Sequence, residues 1–283
     1  MTVPIAVKDM RPGDVLLHAG TGEISKLIEW VSDSDYSHAA MVIAPGFVAE
    51  AISSGVHFNQ SLLDRVADND HLFTRIDVIR AVNGSVPVTA GEMAALQASA
   101  YVLATMKFAL NKMFELGVIC VFKNKLPPDM RTKVLFTWLA DAVIPTDPSR
   151  LVCSEFVYRT YHEAATGEPR LMDPVIVITR ADPRPFPEID WAKLWEEYEE
   201  ARKKAGKGLA EYFPRPPAIE AVITDAELEA ALQRARVLLL EARGLPFDAV
   251  TGRFKSLLPN AALVLPQDLS DSPTFFFAGR ATP

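Results

Sequence analysis

Over its first eighty residues the chain alternates short apolar runs with turn signals, and after that its period lengthens. Arg11-Pro-Gly-Asp14 marks a turn, and Val15-Leu-Leu-His-Ala19 after it reads as a short buried strand. Glu23 to Ser32 spaces Ile24, Leu27, Ile28 and Val31 as a helix does. Ser37 to Ile43 and Phe47 to Ile52 are apolar runs joined by Ala44-Pro-Gly46, the pattern of a β-hairpin. Gly55 to Phe58 and Arg75 to Arg80 predict two further strands. From Thr89 to about Phe114 the pattern is helical, with Thr89 as N-cap and Glu92 at capping-box spacing. Leu151 to Ala165 predicts a second clear helix, with Cys153, Phe156, Val157, Tyr161 and Ala164 on one stripe. Proline-rich stretches at 182–187 and 213–217 bracket a charged helix around 191–204. Another helix begins at Thr224 and stops at Gly244-Leu-Pro246, and Thr274 to Ala278 reads as an aromatic strand. Strands first and helices later predict an α+β fold.

With 283 residues, 49% of them hydrophobic and 23% charged, the chain has ample material for a core. We read it as a single domain over 1–283, with helical insertions at about 105–145 and 185–260. A formal net charge of −7 argues against a nucleic-acid partner. Two cysteines cannot build a disulfide framework, and no Cys/His spacing suggests zinc, so neither metal nor cofactor is expected. No secretory signal and no long apolar span is visible, which predicts a cytoplasmic protein. Residues 107–133 run against the acidic average, with six basic and two acidic side chains and interleaved aromatics. Two readings stay open there: a surface that touches anionic lipid, or a helical insertion whose lysines face water.

Nucleophilic catalysis by cysteine needs a thiol beside a histidine and a third group to orient the imidazole. Cys120 lies in the wholly apolar Gly117-Val-Ile-Cys-Val-Phe122, where burial would leave it inert. Cys153 opens a predicted helix, where the macrodipole and free backbone N–H groups favour a thiolate. His162 follows on the same helix roughly 13 Å away and cannot reach it. His71 falls in a polar loop run, and His18 and His57 read as ordinary strand histidines. His38 differs, because Glu50 lies across the hairpin on the same strand parity, directly opposite or one diagonal away. A carboxylate there costs desolvation unless it is paired, and pairing would fix the His38 tautomer.

These residues resemble the circularly permuted papain-like amidases of the NlpC/p60 superfamily (the YaeF/YiiX-like group). The likeness rests on Arg11 to Leu17, Tyr36 to Ile43, Val48 to Ala51, Gly55-Val56, Leu151 to Val157 and Pro266 to Pro273. It implies a small antiparallel sheet packed against the helix that bears Cys153. It implies Cys153 as nucleophile, His38 as base, and Glu50 as the orienting group. The Cys153 backbone N–H and Tyr36 are candidate oxyanion donors. The expected substrate is a small peptide or amide. Lecithin retinol acyltransferase-like enzymes share the permuted order, so a lipid-like acyl substrate with peripheral membrane contact is one alternative. A binding module without turnover is another.

Overall fold

The computed structural model describes residues 3–31, 34–52, 55–67, 72–81, 88–105, 150–165, 173–179, 187–190 and 264–283. It also describes the short stretches 107–108, 192–193, 196–197, 247–248 and 253–255, and the single residues 200 and 261. The insertions expected at 105–145 and 185–260, the helix expected from Thr224, and Cys120 lie wholly or mostly outside these residues.

The sequence reading holds for the N-terminal strands and for the cysteine-bearing helix. After β1 (Pro4–Ala6) come β2 (Val15–Gly20), α1 (Glu23–Val31), β3 (His38–Ala44), β4 (Phe47–Ile52) and β5 (Gly55–Ser61). They are followed by α2 (Leu62–Ala67), β6 (Phe73–Ala81) and α3 (Ala90–Leu103). Next are β7 (Lys107–Phe108), β8 (Arg150–Leu151), α4 (Cys153–Ala165), β9 (Val177–Thr179), β10 (Phe247–Asp248) and β11 (Arg253–Lys255). The chain ends with α5 (Pro266–Ser270) and β12 (Phe275–Thr282). This is a mixed fold of strands and helices, compatible with the expected α+β class.

Thr89 and Glu92 do form a reciprocal capping box on α3. The helix does not run to Phe114, however. Ala104 N–H bonds back to Ala100, and both the N–H and the hydroxyl of Thr105 bond to the Val102 carbonyl, which closes the helix at Leu103.

Seven strands make the main sheet, in the order β1-β12-β6-β2-β3-β4-β5. Every neighbouring pair is antiparallel except β1 with β12. Between β3 and β4 the turn uses Pro45 and then Gly46 at φ 78°. Proline followed by a left-handed residue is the type II pattern, and it explains the choice of both residues.

Side-chain alternation divides the core in two. Val15, Leu17, Ala39, Met41, Ala49 and Ile79 face α3 and α4, packing with Leu96, Phe156, Val157 and Tyr161. Leu16, Ala40, Val42, Val48, Ile76 and Val78 face the other way, against Leu62 and Val66 of α2.

The turn before β2 ties α4 to the sheet. Gly13 has φ 89°, and its carbonyl accepts a hydrogen bond from Tyr161 of α4. A Cβ at Gly13 would stand 3.2 Å from Tyr161 Oη and 3.2 Å from Val88, so glycine is required there on two counts. Asp14 takes two hydrogen bonds from Arg80, at 2.6 and 2.7 Å, and one from the Arg11 N–H at 2.8 Å.

Candidate functional site

The β3–β4 hairpin fixes how His38 meets Glu50. Met41 pairs with Ala49 and Val42 with Val48, so continuing the register would set Glu50 opposite Ala40. His38 is therefore one diagonal from Glu50 on the same face, and the side chains meet at 2.8 Å, Nε2 to Oε2. Glu50 is wholly buried, whereas the His38 side chain keeps 15% exposure. That contact occupies Nε2 and leaves Nδ1 for another partner.

Strand pairing also decides what surrounds Cys153. Val42 N–H donates to Asp14 O at 2.8 Å, so the even residues of β3 send their backbone groups toward β2 and the odd ones toward β4. Met41 is the first odd residue to find a β4 partner, which leaves the Ala39 N–H unspent by the ladder. It points instead at the Cys153 sulfur. The thiol thus lies where β3 and β4 part, between the face that α4 covers and the face that bears His38.

Cys153 is the first residue of α4, and Phe156 N–H closes the first turn on Val152 O at 2.9 Å. The second residue, Ser154, anchors this end by donating to Val264 O at 2.6 Å. Burial by itself would push the Cys153 thiol up. The charge of His38, its hydrogen bond, and the N–H groups of Ala39 and Ser154 outweigh that, and the thiol lies below its ordinary value. The charged form of the thiol is therefore favoured relative to an ordinary cysteine, although Cys153 is only 1% exposed.

Sequence reasoning missed Arg65. This residue of α2 bonds to Glu50 Oε1 and also lies over the Phe73 ring, 5.6 Å from its centroid. Each Glu50 oxygen then has a partner, His38 on one side and Arg65 on the other. A buried carboxylate flanked by a fixed cation contributes more to orienting the imidazole than to stabilising its charge, because the cation already offsets the carboxylate. The only signal in the sequence was an arginine in the six-residue Leu62-Leu-Asp-Arg-Val-Ala67, too short to show a period.

Tyr36, expected as an oxyanion donor, gives its hydroxyl proton to Asp77 Oδ2 at 3.0 Å, with Arg75 over its ring. Burial pushes that phenol up to about 12, and Asp77 adds to the shift. His162 pairs with Asp173 on the surface at 2.9 Å, and His57 stands opposite Glu50 on β5. Among the described residues no group of three or more His, Cys, Asp or Glu side chains is placed to hold a metal ion. No helix among them is long and apolar enough to cross a membrane.

No family model matches the chain, and no curated protein matches it. Among solved structures, the crystal structure of the metalloprotein YiiX (DUF1105) from Escherichia coli O157:H7 is similar. The identity is 17%, the match covers 96% of this chain and 98% of that one, and the TM-score is 0.42.

Proposed function

We propose that this chain is a cysteine hydrolase of permuted papain-like architecture that cleaves an amide bond through Cys153, His38 and Glu50. The observation that carries this reading is a continuous line of contacts: a thiol held down by His38, and His38 held at 2.8 Å by a buried Glu50. The order along the chain, base and orienting acid before the nucleophile, supports the permuted arrangement.

In the reaction so read, His38 Nδ1 takes the thiol proton and the thiolate attacks the carbonyl carbon. The Cys153 N–H, at the first position of α4, is placed to donate to the oxyanion that forms. His38 returns the proton to the leaving amine, and a water deprotonated by His38 then releases the acyl group from sulfur. The imidazole is the exposed member of the pair, so substrate approaches from its side.

The test is competitive alkylation with iodoacetamide followed by peptide mapping. Cys153 should be modified much faster than Cys120, and its rate should stay high below the pH at which ordinary thiols ionise. Equal rates at the two cysteines, or a Cys153 rate that rises only with ordinary thiol ionisation, would overturn the assignment.

A further inference from the structure

His18 is a buried titratable group that this mechanism does not use. It stands directly opposite His38 in the β2–β3 ladder, and the two ring centroids are 5.1 Å apart. Its own ring is fully buried, with Phe73 at 4.5 Å on another side. Neither ring nitrogen makes a hydrogen bond of good geometry among the described residues, although the backbones of Leu16 and His38 lie near the ring.

Two unmatched buried polar atoms cost stability, and a phenylalanine or leucine would fill the same space without that cost. The contacts around His18 also close a ring: His38 to Glu50, Glu50 to Arg65, Arg65 to Phe73, Phe73 to His18, and His18 back to His38.

Resting on the reading of His38 as base, we propose that His18 is a positioning residue that stays neutral and stabilises the imidazolium form of His38. A neutral imidazole can place its lone pair on either nitrogen, and so can turn the negative end of its dipole toward a neighbouring cation. In a water-poor face that dipole counts for more than it would in solvent.

The groups around it hold His18 in that state. Burial, the His38 charge and the Arg65 charge oppose its protonation, outweigh the backbone groups of His38 and Leu16 that favour it, and lower its proton affinity well below the usual range. The charged groups facing it are His38 on β3 and Arg65 on α2, with Glu50 on β4 joining the two; β6 presents the uncharged Phe73.

The experiment replaces His18 with Phe, Leu and Gln and follows two readouts, the thermal midpoint and the pH profile of Cys153 alkylation. His18→Phe and His18→Leu remove the unmatched nitrogens, so the thermal midpoint should hold or rise. The alkylation profile should nevertheless move to higher pH, with a rate near neutrality about 3- to 10-fold lower, since one pH unit is tenfold in thiolate at fixed pH. His18→Gln keeps a polar head and should stay closer to the wild type. A lowered wild-type profile shared by all three variants would overturn the role of His18 and leave the Cys153–His38 pair standing. An ordinary thiol profile in the wild type would overturn both.

Discussion

Two buried carboxylates stand at opposite ends of the β2–β3 ladder, and what holds each of them differs. Asp14 is met by Arg80 twice and by a backbone N–H, partners whose charge does not change between acid and neutral pH. Glu50 is met by Arg65 on one oxygen and by His38 on the other, and an imidazole, unlike a guanidinium, carries charge only when it is protonated. The first arrangement is static and belongs to the fold. The second has one exchangeable partner, and that partner touches the only described cysteine. Burial and a paired arginine are therefore common to structure and chemistry here. What separates the two sites is whether one partner titrates.

The largest effect should come from breaking the static site. Asp14→Ala leaves the Arg80 guanidinium, 15% exposed, facing a lost carboxylate, and releases the turn that Tyr161 grips. Removing one member of such a pair should cost about 3 kcal/mol or more, read as a lower denaturation midpoint in urea. The pH profile of Cys153 alkylation in the folded fraction should stay where it is. A shifted profile with unchanged stability would reverse the assignment of the two carboxylates.

Much of this contrast was readable beforehand, and the part that was not has a physical cause. Parity along a hairpin is local, so Pro45-Gly46 and the flanking apolar runs are enough to place His38 and Glu50 on one face. The choice between a direct and a diagonal pair depends on where the ladder shifts, here between Val42 and Ala44, which composition does not reveal. Cys153 stood out because helix starts are local too. Arg65 did not, because its approach to Glu50 depends on how α2 folds back over β4. His18 read as an ordinary strand residue for the same reason: its neighbours His38 and Phe73 come from strands on either side of β2. β1 was missed since its parallel partner β12 is at the other end of the chain.

A smaller effect on stability, but a larger one on reactivity, is expected from Glu50→Gln. The amide keeps the shape and can still accept from one neighbour, so the fold should persist. It no longer fixes which His38 nitrogen carries the proton, and it leaves Arg65 without its carboxylate. The Cys153 thiol should shift upward by about one unit, a roughly tenfold loss of thiolate at fixed pH. Alkylation across a pH series measures both quantities. An unmoved midpoint would make Glu50 as static as Asp14 and leave a Cys153–His38 dyad.

Glu29 supplies a third case and the smallest effect, a half-buried carboxylate with no ion pair among the described residues. It accepts from the Gly20 N–H at 3.1 Å, and Arg75 acts on it only weakly. Burial outweighs these and pushes it up to about 7 from 4.5. A carboxyl group whose folded value is raised holds its proton more tightly in the folded chain than in the unfolded one. Its favourable contribution is complete below about 4.5 and is lost as pH rises through about 7. Glu29→Gln cannot ionise, so it should match the wild type near the acid end of that window and become the more stable of the two above it. Thermal midpoints of both proteins across the window give the answer. A constant difference would mean that Glu29 has a cationic partner after all, and that lacking a titratable neighbour is not what sets Asp14 apart from Glu50.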